Sequence, residues 1–234
     1  MNAPLPTLLL PGLAVTARLY EAQIPALWQF GPVMVADHRR DDSIAAIARR
    51  VLEHAPPRFS LVGLSMGGYI AFELLRQAPR RVARLALLDT TARPDAAVQS
   101  ARRRELIELA RSGRFGEIAD LSYPLLVHPD RLADQPLREL VRSMAQDTGA
   151  EGYIRQQTAI VTRCDSRPDL TAIGCPTLVL VGESDQLTPP ALAQEIAAGI
   201  ASARLIVVPA SGHLSPLEQP QRVTAELVEW LGGA

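Results

Sequence analysis

The sequence predicts an α/β architecture of about six mainly parallel strands, with helices on both faces of the sheet and a helical insertion. Three observations carry this reading. Short apolar runs alternate with longer stretches of helical periodicity, the pattern of repeated strand–helix–strand units. The runs are near-continuously hydrophobic rather than alternating, as in strands covered on both faces. From about Arg93 to Asp169 the rhythm stops: no strand candidate appears, and the segment becomes charged, arginine-rich and helical.

In chain order, the apolar runs are Thr7–Leu10, Val33–Ala36, Phe59–Val62, Leu85–Leu88, Thr177–Val181 and Leu205–Val208. Helical stretches lie between them near Leu19–Trp28, Ser43–His54, Met66–Gln77, Pro190–Ile200 and Pro216–Trp230. Met66–Gln77 has apolar residues at Ile70, Ala71, Leu74 and Leu75, the spacing of one helix face. In the interrupted region, Ala97–Arg111 gathers Leu106, Ile107, Leu109 and Ala110, and Pro136–Met144 and Gly152–Thr162 add amphipathic turns. The expected organisation is therefore a core of residues 1–92 and 170–234, with residues 93–169 inserted as a helical cap over the strand ends.

Composition narrows the function. Apolar residues make up 47%, charged residues 21%, and the formal net charge is −1, a balance that favours neither nucleic acid nor an anionic membrane surface. All 24 basic residues are arginine, which excludes Schiff-base catalysis, lysine-bound cofactors and a phosphate-loop lysine. The cap's acidic and basic residues are about equal in number and read as a solvated face; for Arg102 to Arg104 the surface role is favoured and contact with an anionic substrate is the alternative. Cys164 and Cys175 make neither a zinc site nor a disulfide framework and are expected to be reduced, Cys175 at a strand entrance. Leu8-Leu9-Leu10 lacks a positive n-region and is interrupted by Pro11-Gly12, so it is not read as a signal peptide. No run approaches a membrane span, and the expected location is the cytoplasm.

Chemistry enters at Gly63-Leu64-Ser65-Met66-Gly67, a G-x-S-x-G pattern between a short buried strand and a helix. A strand that turns abruptly into a helix at a serine holds that residue in a strained conformation, with its hydroxyl lifted clear of the sheet. Gly63 and Gly67 are required where the helix doubles back on the strand. A serine hydroxyl needs a base near pH 7, and the base needs an orienting carboxylate. Functional groups in such sheets gather at the carboxyl ends of strands. By that criterion His213, in Ser211-Gly212-His213-Leu214 after the last strand, leads the four histidines and His38 is second. His54 reads as an exposed helix-end residue, and His128 lies in the cap loop. Of the carboxylates after Thr177–Val181, Asp185 precedes a turn into a helix and is the expected orienter. Glu183 reads as a structural hydrogen-bonder and Asp89 as the reserve. The oxyanion amides are expected from Met66 and Leu13, whose side chains would also border an apolar acyl site.

With these residues in place, the chain resembles the α/β-hydrolase superfamily, specifically small bacterial hydrolases with a helical cap. The resemblance covers nearly the whole chain. It rests on Gly63-Leu64-Ser65-Met66-Gly67-Gly68, the run from Pro176 to Asp185, and Gly212-His213-Leu214 followed by Glu218-Gln219-Pro220. It implies an α/β-hydrolase fold, a Ser65–His213–Asp185 triad, and neither metal nor cofactor. In two places the chain departs from the family pattern. Pro11-Gly12 stands where the family has His-Gly, and the chain starts at the oxyanion strand, so six strands are expected rather than eight. Branches with an Asp nucleophile or an active-site lysine are excluded. The expected activity is hydrolysis of a small-molecule carboxylic ester through an acyl-enzyme. Perhydrolase, carbon–carbon hydrolase and ligand-sensor roles are the alternatives.

Overall fold

Six strands form one sheet in the order β2-β1-β3-β4-β5-β6, and all five pairings are parallel. They are β1 (Thr7–Leu10), β2 (Val33–Val35), β3 (Phe59–Leu64), β4 (Val82–Leu88), β5 (Thr177–Gly182) and β6 (Ala203–Val208). The computed structural model describes residues 4–233; residues 1–3 and 234, the outer limits of the expected core, lie outside them. The helices are α1 (Ile24–Leu27), α2 (Ile44–His54), α3 (Met66–Gln77), α4 (Ala97–Leu109), α5 (Ile118–Leu126), α6 (Gln135–Val161), α7 (Pro190–Gly199), α8 (Ser215–Glu218) and α9 (Pro220–Gly232). Among the described residues, no helix is long and apolar enough to cross a membrane.

The continuous hydrophobicity of the central strands follows from burial on both sides. Leu8 and Leu10 of β1, Leu61 of β3, Leu85 and Leu87 of β4 and Val179 and Val181 of β5 pack with α2, α3 and α7. Their neighbours Leu9, Val62, Ala86, Leu88, Leu178 and Leu180 pack on the opposite side with α1 and α9. Helix α2 shows how such a layer is specified. Ile44, Ile47, Ala48 and Val51 make its buried stripe, and the Ser43 hydroxyl caps it by accepting from the Ala46 N–H.

Prolines account for two departures from the expected helices. The stretch Leu19–Trp28 forms a 3₁₀ turn (Ala17–Tyr20), then α1, then a second 3₁₀ turn (Trp28–Phe30). Pro25 has no N–H to bond back into a preceding turn and is tolerated only in the first turn of a helix, where it stands in α1. Pro220 likewise divides the expected Pro216–Trp230 helix into α8 and α9. Between β4 and β5, the expected stretches Pro136–Met144 and Gly152–Thr162 fall in the two helical halves of α6, which are separated by a break at Gly149 with φ 73° and ψ 159°. Helix α5, with Pro124 inside it, had no counterpart in the sequence reading.

The contact on which the site is built lies between α3 and the sheet. A Cβ on Gly67 would collide with the carbonyl of Leu10, and one on Gly63 with the carbonyl of Gly67. Both obstacles are backbone, so neither can rotate away. Gly67→Ala is expected to destabilise the fold by about 1–3 kcal/mol through overpacking, read as a shift in the urea unfolding midpoint at unchanged slope.

Candidate active site

Ser65 occupies the single residue between β3 and α3, with φ 54° and ψ −115°. A non-glycine residue in this region costs on the order of 1–3 kcal/mol and persists only where its surroundings fix it. Here its N–H donates to the Leu88 carbonyl at 3.0 Å, and its own carbonyl accepts from the Thr90 hydroxyl at 2.8 Å. The Ser65 hydroxyl is thereby turned toward His213 and lies 2.8 Å from Nε2. On the other side of the ring, Nδ1–H donates to Asp185 Oδ2, also at 2.8 Å. The three side chains expected to act together do meet, in the order hydroxyl, imidazole, carboxylate.

Asp185 is fixed by the turn that follows β5. Its Oδ1 accepts from the N–H groups of Leu187 and Thr188 at 2.9 Å each, and Oδ2 also accepts from the Thr188 hydroxyl at 2.6 Å. Burial raises the Asp185 pKa, but the His213 charge and hydrogen bond and the Thr188 bonds outweigh it, and the net shift is downward. Burial lowers that of His213, and the Asp185 charge and hydrogen bond outweigh it, so the net shift is upward. Asp185 therefore stays ionised at neutral pH, and an imidazolium at His213 is favoured when it forms.

The loop carrying His213 is pinned from outside the sheet. The Leu126 carbonyl at the end of α5 accepts from the N–H groups of both His213 and Leu214, at 3.0 and 3.1 Å. Glu218, buried in α8, accepts from the Gly212 N–H at 2.9 Å and the His128 N–H at 2.6 Å. Burial pushes the Glu218 pKa up. Thr188 and Glu218 were not read from sequence as site residues. The Asp-x-x-Thr spacing of 185 and 188 signals the first, since an Asp side chain bonds amides two and three residues on. No local pattern signals the second.

The other sequence candidates fall into different places. Asp89 makes no hydrogen bond to His213 among the described residues: its Oδ1 accepts from the Gly182 N–H at 2.8 Å, and Oδ2 from the Ser215 hydroxyl. Burial, and after it the Asp185 charge, push its pKa well up. Glu183 is exposed; its backbone N–H donates to the Val208 carbonyl, and its side chain joins no hydrogen bond among the described residues. His54 is exposed in the last turn of α2 as expected, and His128 Nδ1 accepts from the Asp130 N–H. His38 is buried beside the loop after β1, bonded to the Pro11 carbonyl at 2.9 Å, where the departure from His-Gly lies.

Both expected amide donors flank the serine. Met66 is the first residue of α3, so its N–H has no acceptor within the helix. Leu13 borders the same cavity as Ser65, and among the described residues its N–H makes no hydrogen bond. The Met66 side chain, expected at the cavity border, instead packs in the core with Leu10 and Ile70.

Above Ser65 and His213 opens a cavity of about 540 Å³, walled by residues of α4, α5 and α6 and by the loops after the strands. Its lining is mostly aliphatic, and the exposed side chains Val98, Leu121, Leu125 and Leu187 also border it. The arginine triplet divides. Arg104 is exposed, Arg102 sits at the cavity edge paired with Glu105, and Arg103 turns inward to buried Asp95, which also pairs with Arg163 at 2.7 Å. Among the described residues, no group of three or more His, Cys, Asp or Glu side chains converges as a metal site.

A parallel sheet with a serine elbow after β3 and a histidine loop after β6 defines an α/β hydrolase. Residues 6–227 match the Alpha/beta hydrolase family, and the chain belongs to it. It is similar to a thermophilic esterase from Thermogutta terrifontis, at 32% identity and a TM-score of 0.87, over 99% of this chain and 90% of that one. The enol-lactonase from Burkholderia xenovorans is 26% identical with a TM-score of 0.90, over 98% of this chain and 92% of that one. Among sequence relatives, 3-oxoadipate enol-lactonase 2 of Acinetobacter baylyi is 30% identical, over 78% of this chain and 67% of its own length.

The Glu218 carboxylate satisfies two backbone N–H groups at once, which a carboxamide oxygen does less well. Glu218→Gln is expected to lower stability by about 1–3 kcal/mol, measured by urea unfolding monitored by circular dichroism.

Proposed function

We propose that this hydrolase cleaves carboxylic esters through an acyl-enzyme formed on Ser65. The observation that carries the reading is the hydrogen-bonded chain Ser65 Oγ–His213–Asp185 at the floor of the cavity. His213 takes the hydroxyl proton on Nε2 as Ser65 Oγ attacks the acyl carbonyl. Asp185 holds the ring in the Nδ1–H tautomer and stabilises the imidazolium. The amides of Met66 and Leu13 donate to the oxyanion of the tetrahedral intermediate. His213 then gives its proton to the leaving alcohol. In the second half it activates water, which attacks the acyl-enzyme and releases the acid with Ser65 restored.

The helices of residues 93–169 act in this reading as the cap that excludes bulk water and supplies the acyl site. The aliphatic lining, continued outward by Leu121, Leu125 and Leu187, supports an uncharged acyl chain. The esterase and lactonase activities named for two of the similar proteins are ester-bond hydrolyses, which supports the same class. A cytoplasmic site of action is part of this proposal.

Three measurements test it. On p-nitrophenyl esters from acetyl to palmitoyl, kcat/KM is expected to rise with chain length, by up to about fourfold per buried methylene, and to fall once the chain outgrows the cavity. Ser65→Ala, which keeps the fold, should lose at least about 10³-fold in kcat; turnover equal to wild type sinks the assignment. Because the His213 pKa is shifted upward, kcat/KM should fall as pH drops through a value above the ordinary imidazole value of about 6.5. A flat profile down to pH 5 in folded protein argues against a histidine base.

A further inference from the structure

The loop between β1 and the first 3₁₀ turn, residues 11–16, carries Leu13, one of the two oxyanion donors in the reading above. It is fixed by side chains from two distant parts of the chain. The ring of His38, which follows β2, lies 2.9 Å through Nε2 from the Pro11 carbonyl. Gln156, in the second half of α6, reaches His38 Nδ1 with Nε2 at 2.9 Å and accepts the Ala14 N–H on Oε1 at 3.0 Å.

The proton positions in this chain are determined by its ends. The Pro11 carbonyl only accepts, so His38 carries its hydrogen on Nε2. Its Nδ1 lone pair then accepts from the Gln156 amide, whose oxygen is free to take the Ala14 N–H. Burial lowers the His38 pKa, which keeps the ring neutral and the arrangement self-consistent. Gln156 is fully buried and His38 is 3% exposed, so water does not compete for these bonds.

The two attachments fall on Pro11 and Ala14 and bracket Gly12 and Leu13 between them. Ala14 has a φ of 56°, a left-handed conformation that strains a non-glycine residue. The Gln156 carbonyl holds it there. The helix carrying Gln156 is docked independently: Arg155 Nε donates to the Arg39 carbonyl at 2.8 Å, and Arg39 Nη1 to the Asp147 carbonyl at 2.7 Å. Removing the Gln156 amide therefore frees the loop without releasing the helix.

We infer that Gln156, with His38, is a positioning residue that aims the Leu13 amide, so that the oxyanion hole is complete only when α6 is docked. The inference rests on the serine-hydrolase reading for its catalytic consequence, and on geometry alone for the ordering of the loop.

The test compares wild type with Gln156→Met, His38→Leu and His38→Gln, with Ser65→Ala as the inactive reference. The readouts are kcat and KM on p-nitrophenyl butyrate, thermal unfolding, and hydrogen exchange of the Ala14 amide. A misaimed donor should cost part of the 10²–10³-fold that losing one donor outright costs. Gln156→Met and His38→Leu are expected to lose about 10–100-fold in kcat with KM within about threefold, and to exchange Ala14 faster. His38→Gln offers the same donor and acceptor through its amide and should recover most of kcat. The inference is overturned if Gln156→Met keeps kcat within about twofold, or if Ala14 exchange is unchanged. If wild type and Ser65→Ala turn over the ester equally, the serine reading has failed instead. Ala14 exchange in Gln156→Met then decides the ordering role by itself.

Discussion

Helix α3 lies so close to the sheet that Gly67 abuts the Leu10 carbonyl and Gly63 the carbonyl of Gly67, and a side chain at either position would push backbone from backbone. The geometry of the site descends from this contact. It forces the reversal between β3 and α3 into one residue, which is why Ser65 adopts φ 54° and projects its hydroxyl above the strand ends. It also brings the end of β1 beside the start of α3. A Cβ on Gly12 would lie 3.4 Å from the Ser65 Cβ, so the loop after β1 borders the hydroxyl. The two amides read here as oxyanion donors thus come from one packing contact rather than from two separately tuned loops. The strain at Ser65 is offset locally, by bonds to Leu88 and Thr90 at the end of the adjacent strand.

Around His213 the fold gathers three buried carboxyl groups and gives each different partners. Asp185 receives two amide N–H groups, a hydroxyl and the imidazole, enough to keep its pKa low despite burial. Asp89 receives one amide and one hydroxyl, and its neighbour Asp185 opposes a second charge, so its pKa is driven upward. Glu218 spends both oxygens on backbone amides, one of them in the histidine's own loop. The upward pull on His213 comes chiefly from Asp185, and Asp89 and Glu218 add to it only to the extent that they are ionised. Removing one carboxyl group therefore disturbs both the scaffold and the potential, and effects measured at these sites need not add.

Much of this was legible in the sequence because strand ends are legible. Ser65, Asp185 and His213 each come after an apolar run, and chemistry alone selects among the few polar residues at such positions. The six-strand sheet followed from the same runs, although β4 begins at Val82, ahead of the hydrophobic stretch that marks it. Helix content near prolines was less legible. Pro25 and Pro220 each start a helix inside what periodicity reads as a single one, and α5 carries Pro124 within it. Side-chain partners across long separations were not legible at all. Gln156 meets His38 across 118 residues and Ala14 across 142, and nothing local distinguishes it from Gln157 beside it. Arg103 shows the same limit: its neighbours Arg102 and Arg104 face outward, while helical rotation turns Arg103 toward Asp95.

These long-range bonds change what the inserted helices contribute. A cover that served only to exclude water would need apolar contact and a hinge. Here the segment between β4 and β5 also binds backbone on both sides of the serine. The end of α5 accepts the amides of His213 and Leu214, and α6 accepts the amide of Ala14. Each bond joins this segment to a loop that carries, in the proposed mechanism, either the base or an oxyanion donor. Lifting the whole segment would break both sets and, in the proposed mechanism, loosen the loop that holds His213 against Ser65. Helix α4 and the turn after it carry fewer such constraints. Gly113, with φ 83°, and Gly116 have open space around them, and the exposed Val98 stands at the cavity border. In the proposed mechanism, entry on the α4 side would leave the bonds from α5 and α6 to those two loops intact.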